Sequence, residues 1–147
     1  LTYRRVLLPL VIVSLSLTMC HPAQGAVSEE MRARLGALGI EVLAAGEIPY
    51  FSTGVGAETR EVSYPPFSLK LVLANERGEY LSNVAVRIAP EGAASAAVEA
   101  VAKGPWFFVD LETGTYRVEA TAGGVQKVYS GIRVSKGVTR SLTIVWP

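Results

Sequence analysis

Trp106, Phe108 and Asp110 are spaced two residues apart in the stretch Gly104-Pro-Trp-Phe-Phe-Val-Asp-Leu-Glu-Thr-Gly114. Residues two apart on an extended strand share a face. Two aromatic rings beside a carboxylate would suit a flat partner such as a sugar ring, or the apolar side chains of another protein. Bond-breaking chemistry has fewer candidates. The single Cys and single His are Cys20 and His21, both near the N-terminus. Without them there is no Cys–His dyad, no Ser–His–Asp triad and no histidine-ligated zinc. Asp110 is the sole aspartate, and Glu76 and Glu79 belong to a turn, where solvated charges are the rule. Gly54-Val-Gly56 is a lone Gly-x-Gly with no preceding strand and no Walker lysine, so it reads as an irregular turn rather than a phosphate loop. The sequence is thus expected to be non-catalytic, with no cofactor and no metal.

Cys20 and His21 are set aside because of what surrounds them. Arg4 and Arg5 precede a 12-residue apolar run from Val6 to Leu17, which is short for a bilayer span. Ala23-Gln-Gly25 ahead of Ala26 places small residues at the −3 and −1 positions of a signal-peptidase site. These features predict a secretory signal peptide over residues 1–25 and a periplasmic or secreted protein with no membrane span. Leu17-Thr-Met-Cys20 offers a second processing route, lipid attachment at Cys20, although Met19 stands where Gly, Ala or Ser is usual. The twin arginines lack the rest of a Tat pattern. Loss of residues 1–25 leaves 12 basic and 13 acidic residues, a balance that implies neither nucleic acid nor an anionic membrane surface. It also leaves no disulfide, so stability must come from burial, which one domain of this size can supply.

The elements that must position the aromatic run are strands. From Phe67 onward apolar and polar residues alternate with period two. Phe67, Leu69, Leu71 and Leu73 are expected on one face, with Ser68 and Lys70 opposite. Asn75-Glu-Arg-Gly78 reads as a turn, and Val84, Val86 and Ile88 form the next inward face. Ala93 to Lys103 is Ala-rich and reads as either a helix or an edge strand. Tyr116, Val118, Ala120 and Ala122 alternate with Thr115, Arg117, Glu119 and Thr121. Gly123-Gly124 is a hairpin signal, Gly131 a bulge or bend, and Ser135-Lys-Gly137 a turn. Leu142, Ile144 and Trp146 close the pattern, with Trp146 expected in the core. Six or seven short strands with a turn every 8 to 12 residues is the pattern of an antiparallel sandwich. Arg117 and Glu119 are expected to form a solvated pair worth under about 1 kcal/mol.

Leu111 precedes the Glu112-Thr-Gly114 turn and is expected inward, which carries Phe107 and Val109 inward with it. Trp106, Phe108 and Asp110 then face outward. They are either a platform for a partner or the floor beneath Tyr50, Phe51 and the Ser52 to Val62 segment; exposed aromatic patches are uncommon on monomers. Gly114 is expected at positive φ. Tyr116, two residues further on, is expected to bury its ring and bond backbone through its hydroxyl.

Residues 26–66 form a separate, partly helical segment. Ser28 is placed to cap a short helix with Met31, Leu35 and Leu38 on one face. Glu47 to Pro66 has no clear period but is too apolar for a plain linker. It is expected to be irregular, with one helical turn near Ala57 to Val62.

Two blocks carry a resemblance. Leu111-Glu-Thr-Gly114-Thr-Tyr116-Arg-Val, followed by a glycine hairpin and two closing strands, resembles the carboxypeptidase regulatory-like domain, a prealbumin-like (transthyretin-like) β-sandwich. Ile48-Pro-Tyr50 with Ser52-Thr-Gly-Val-Gly56, Gly78-Glu-Tyr80-Leu81 and Gly104-Pro-Trp106, in that order, resemble small exported bacterial proteins carrying this domain alone. The resemblance implies a seven-stranded antiparallel prealbumin-like sandwich over residues 67–147, with structural roles for Gly104, Pro105, Phe107, Gly114 and Tyr116. It implies no peptidase activity, because in metallocarboxypeptidases this domain lies beside a separate catalytic one. The hydroxyisourate hydrolase on a transthyretin-like sandwich needs histidines and a terminal Tyr-Arg-Gly-Ser, where this sequence reads Ile144-Val-Trp-Pro147. The expected function is an interaction or structural module of the bacterial periplasm or cell envelope, with an envelope protein as partner. The alternative is a small-molecule or carbohydrate binder using Trp106, Phe108 and Asp110.

Overall fold

The computed structural model describes residues 27–147; the signal peptide expected over 1–25, with Cys20 and His21, lies outside the described residues. Alternation of apolar and polar residues produces two packed sheets. One holds, in spatial order, β1 (Leu43–Ala45), β2 (Ile48–Thr53), β6 (Trp106–Val109), β3 (Leu69–Asn75) and β9 (Arg140–Trp146). The other holds β5 (Val98–Ala102), β4 (Val84–Pro90), β7 (Gly114–Ala122) and β8 (Val125–Val134). The fold is an all-β sandwich whose inner faces supply Leu69, Leu71, Leu73, Val84, Ile88, Phe107, Val109, Val118 and Ile144, all fully buried.

Among the described residues the sheets hold nine strands, seven of them (β3–β9) within residues 67–147, and the pairing is not wholly antiparallel. β3 and β9 run parallel, from Leu69 opposite Arg140 to Asn75 opposite Trp146. The cause is the Ser135–Val138 turn, which carries the chain from β8 in one sheet to β9 in the other rather than folding back as a hairpin within one sheet. The additional strands, β1 and β2, come from the segment expected to be irregular. In β2 the residues Ile48, Tyr50 and Ser52 are half-buried while Pro49, Phe51 and Thr53 are buried. With both faces covered, neither needs polar residues, and the period-two signal disappears.

The turns follow local chemistry. Gly123 and Gly124 sit at φ 55° and 78° between Ala122 and Val125, the two left-handed positions that a type I′ hairpin requires. Ser130 and Gly131 bulge opposite Arg117, and the Gly131 N–H donates to Glu91 Oε2 at 3.1 Å. The Ala-rich stretch resolves as β5, an edge strand. Gly114 is a correction: it opens β7 in register with Val134 and is not among the glycines at positive φ. Tyr116 is buried, and its hydroxyl donates to the Glu112 carbonyl at 2.9 Å. Trp146 is also buried and donates from Nε1 to the Val125 carbonyl at 2.9 Å.

Two helices precede the main body. α1 (Glu29–Ala37) starts where Ser28 Oγ accepts the Met31 N–H at 3.2 Å, and it buries Leu35. α2 (Ala57–Arg60) is a single turn. Leu38 is a second correction: it stands past the end of α1 and is 36% exposed. Phe67 is a third. It precedes β3 and joins Phe51 and Phe108 in an outer cluster instead of sharing the face of Leu69. Ser68 between them is anchored to Leu111, donating from Oγ to its carbonyl and accepting its N–H, both at 2.8 Å, which fixes the change of side.

Candidate functional site

Trp106 and Phe108 do occupy the outer face of the five-stranded sheet, opposite Phe107 and Val109, but that face is not free. Phe51 lies directly across from Phe108 in the β2–β6 register, and their rings stack with centroids 4.9 Å apart. Tyr64 approaches Phe108 at 4.9 Å and meets Trp106 edge-on at 6.4 Å. Phe67 stands edge-on to Phe51 at 5.3 Å. Leu35 of α1 and Ile40 complete the cluster, leaving Phe108 3% exposed and Trp106 half-buried. The cover therefore comes from Phe51 and Gly54 within the expected Tyr50 to Val62 segment and from residues 35–40 and 64–67 outside it. Tyr50 does not contribute: β2 lies beside β6 within the sheet, and the Tyr50 ring turns inward to Phe107 at 5.5 Å. Tyr64 is held in place through its hydroxyl, which donates to the Thr59 carbonyl and bonds Thr53 Oγ1 at 2.7 Å.

Asp110 is the clearest correction to the expected trio. It is 8% exposed and fully engaged within the protein. Oδ1 accepts the Ser68 N–H at 3.2 Å, and Oδ2 pairs with Lys136 Nζ at 3.1 Å. Lys136 also reaches Glu112 Oε1 at 3.2 Å. Burial alone would lower the Lys136 ammonium, but hydrogen bonds and charge from Asp110 and Glu112 outweigh it and hold the group above the usual lysine range. Asp110 thus ties the β8–β9 turn to the start of β3.

The glycine blocks have packing roles. A Cβ at Gly104 would lie 2.5 Å from the Thr53 carbonyl oxygen, and the Pro105 carbonyl accepts the Leu73 N–H at 2.8 Å. Gly54, at φ 92°, passes so close that a Cβ would sit 3.1 Å from both Pro105 and Trp106. Gly54-Val-Gly56 and Gly104-Pro-Trp106 are therefore two sides of one contact. Glu79 accepts from Asn75 Nδ2 at 2.6 Å in a turn where Asn75 Oδ1 receives the N–H groups of Arg77 and Glu79. The Glu76/Glu79 region is thus a turn stabilised by Asn75.

The exposed apolar side chains gather elsewhere. Leu38, Leu43, Val55 and Val101 border one cleft of about 270 Å³, floored by Tyr50, at the seam where β2 meets β5. The seam is pinned by the Lys103 N–H donating to Ser52 Oγ at 3.1 Å, and Glu41 and Lys103 stand at the rim. Val101, 53% exposed, also lines a shallow groove of about 460 Å³ on the outer face of the four-stranded sheet, above Ala85. A charge ladder crosses that groove: Arg87 pairs with Glu99 at 3.1 Å and Glu119 at 3.4 Å, and Glu119 pairs with Arg117 at 2.8 Å. Sequence reasoning expected the Arg117–Glu119 pair on this face but missed the groove beside it, whose further signal was Val101, two residues from Glu99 on the polar side of β5.

Among the described residues no group of three or more His, Cys, Asp or Glu is placed to hold a metal ion, and no helix is long and apolar enough to cross a membrane. No family model and no curated protein matches this chain. Among solved structures it is similar to the Bacillus anthracis TIE protein, at 18% identity and a TM-score of 0.41. The match covers 72% of this chain and 23% of that one, so the chain spans less than a quarter of its neighbour's length.

Proposed function

We propose that this protein is a non-catalytic interaction module of the bacterial periplasm or cell envelope, and that it receives an apolar side chain of a partner protein in the cleft between β2 and β5. The observation that carries the reading is the convergence of Leu38, Leu43, Val55 and Val101, from four separate segments, on one concavity. Single exposed apolar residues are ordinary, whereas a cluster around a cleft marks a contact surface. Carbohydrate binding on the aromatic face is disfavoured, because Phe108 is covered and Asp110 is engaged by Lys136. Membership of the carboxypeptidase regulatory-like, prealbumin-like group is part of the same reading. It draws support from the quoted sequence blocks and from the two-sheet architecture, and that domain is non-catalytic where it accompanies peptidases.

The test is capture from envelope extracts with residues 26–147 as bait. Val101→Asp should abolish the specific capture while leaving the melting temperature unchanged, since the side chain faces solvent. Trp106→Ala should retain it. Capture that survives Val101→Asp and fails with Trp106→Ala would return the working surface to the aromatic face.

A further inference from the structure

β8 runs for ten residues and forms one edge of the four-stranded sheet, pairing with β7 on one side and, among the described residues, with no strand on the other. Such an edge offers a row of main-chain donors and acceptors to any extended chain. Apart from Glu91, which reaches Gly131 at the bulge, its charge is basic. From Val125 to Trp146 the chain carries Lys127, Arg133, Lys136 and Arg140 and no acidic residue. Lys136 is committed to Asp110 and Glu112. Among the described residues, Lys127, Arg133 and Arg140 have no carboxylate within 4 Å.

We infer that the β8 edge over Gln126–Tyr129, beyond the Val125 carbonyl that Trp146 occupies, accepts an extended, acidic segment of a partner polypeptide as an added strand. The register limits it to this run, because the bulge at Ser130–Gly131 bends the edge away beyond Tyr129. Within the run, Lys127 stands opposite Ala120 on the inner side and Val128 opposite Glu119 on the outer side. Val128 is 44% exposed, so an incoming strand meets a cation on one face and an apolar side chain on the other. Main-chain bonds supply affinity in strand addition, and side chains on alternate faces supply specificity. A residue directly opposite Lys127 is favoured when acidic and disfavoured when basic. Pairing of β8 with a second copy in the register that sets Lys127 against Lys127 is disfavoured by the same rule.

The experiment titrates the described protein with a labelled seven-residue peptide alternating Glu and Val, its Lys/Val counterpart, and an acidic version N-methylated at alternate backbone amides. Fluorescence anisotropy at low ionic strength should show the acidic peptide binding at least about tenfold more tightly than the basic one. Lys127→Glu should reverse that order, Lys127→Gln should level it, and N-methylation should remove binding. Unchanged circular dichroism establishes that the variants are folded. Absence of binding by the acidic peptide would overturn the proposal. So would equal binding of the N-methylated peptide or of an oligonucleotide of equal charge, either of which would reduce the edge to unspecific attraction of polyanions.

Discussion

The ammonium of Lys70 lies 3.7 Å from the centroid of the Trp106 ring and 5.5 Å from that of Phe108. The two residues are diagonal neighbours on the outer face, since Lys70 stands opposite Phe108 and Trp106 opposite Val72 in the β3–β6 register. The aromatic pair that faced away from the core is thus closed by helix-side apolar residues on one flank and by a cation on the other. Burial lowers the Lys70 pKa, so the attraction to the rings is partly offset by lost hydration. Lys70→Met should therefore change stability by less than about 1 kcal/mol at neutral pH. Acrylamide quenching of Trp106, read in a Trp146→Phe background, should nevertheless rise. Unchanged quenching would show that Lys70 does not shield the ring.

Phe107 and Phe108 are adjacent, face opposite ways and are both buried, one in each apolar cluster. Each truncation to Ala should cost about 3–5 kcal/mol in denaturant unfolding. Half-buried Trp106 should cost less, about 1–3 kcal/mol. A near-neutral Phe108→Ala would mean that the outer cluster is not packed as a second core.

Gly104 and Gly114 occupy similar places in the sequence pattern and should respond differently to the same change. A Cβ at Gly104 meets backbone at 2.5 Å, whereas at Gly114 its nearest neighbour is Tyr116 at 3.5 Å, an ordinary contact. Gly104→Ala should destabilise by about 2–4 kcal/mol and Gly114→Ala by less than about 1 kcal/mol. Thermal unfolding of the two variants in parallel reads the contrast.

Alkaline stability should depend on three groups with known signs. Burial, with a contribution from Glu112 and an opposing one from Lys136, raises the Tyr116 phenol. Lys136 is also raised. Both contributions are fully present below the unfolded values near pH 10 and are lost as pH rises through the folded ones. Lys70 is lowered, so its penalty is relieved as pH climbs from its folded value to the ordinary lysine range. Lys136→Met should flatten the loss of stability above about pH 10, and Lys70→Met should remove a gain of stability that otherwise accrues as pH climbs toward the ordinary lysine range. Urea midpoints measured across the alkaline range give the slopes.

Where one face of a strand meets solvent, the sequence was readable. In β7, Tyr116, Val118 and Ala120 go inward while exposed Arg117 marks the opposite face. Where both faces are covered, as in β2 with Tyr50 inward and Phe51 outward, the alternation that reveals a strand is absent. Phe67 was misplaced because period two holds only inside a strand, and β3 begins at Leu69. The neighbour of β9 was not readable because pairing with β3 depends on a change of sheet that leaves no local pattern. The outward direction of Trp106 and Phe108 followed from an inward Leu111 and period two. Of their cover only Phe51 did, because Leu35, Ile40, Tyr64 and Phe67 lie outside the strands. The cleft was hidden for a related reason: Leu38, Leu43, Val55 and Val101 become neighbours only when β2 and β5 meet.

The parallel pairing of β3 with β9 joins residues some 70 positions apart, Leu69 with Arg140 at one end and Asn75 with Trp146 at the other. Closing so long a loop costs entropy before any contact compensates it, which places folding in the roughly millisecond-to-second range of sandwiches rich in distant pairings. Until residues 140–146 arrive, one side of β3 has no neighbour and the inner sites of Leu142, Ile144 and Trp146 are vacant. An intermediate paired only through β8 holds every strand of the four-stranded sheet but lacks one edge strand of the other. Docking of β9 is thereby the step that completes the five-stranded sheet.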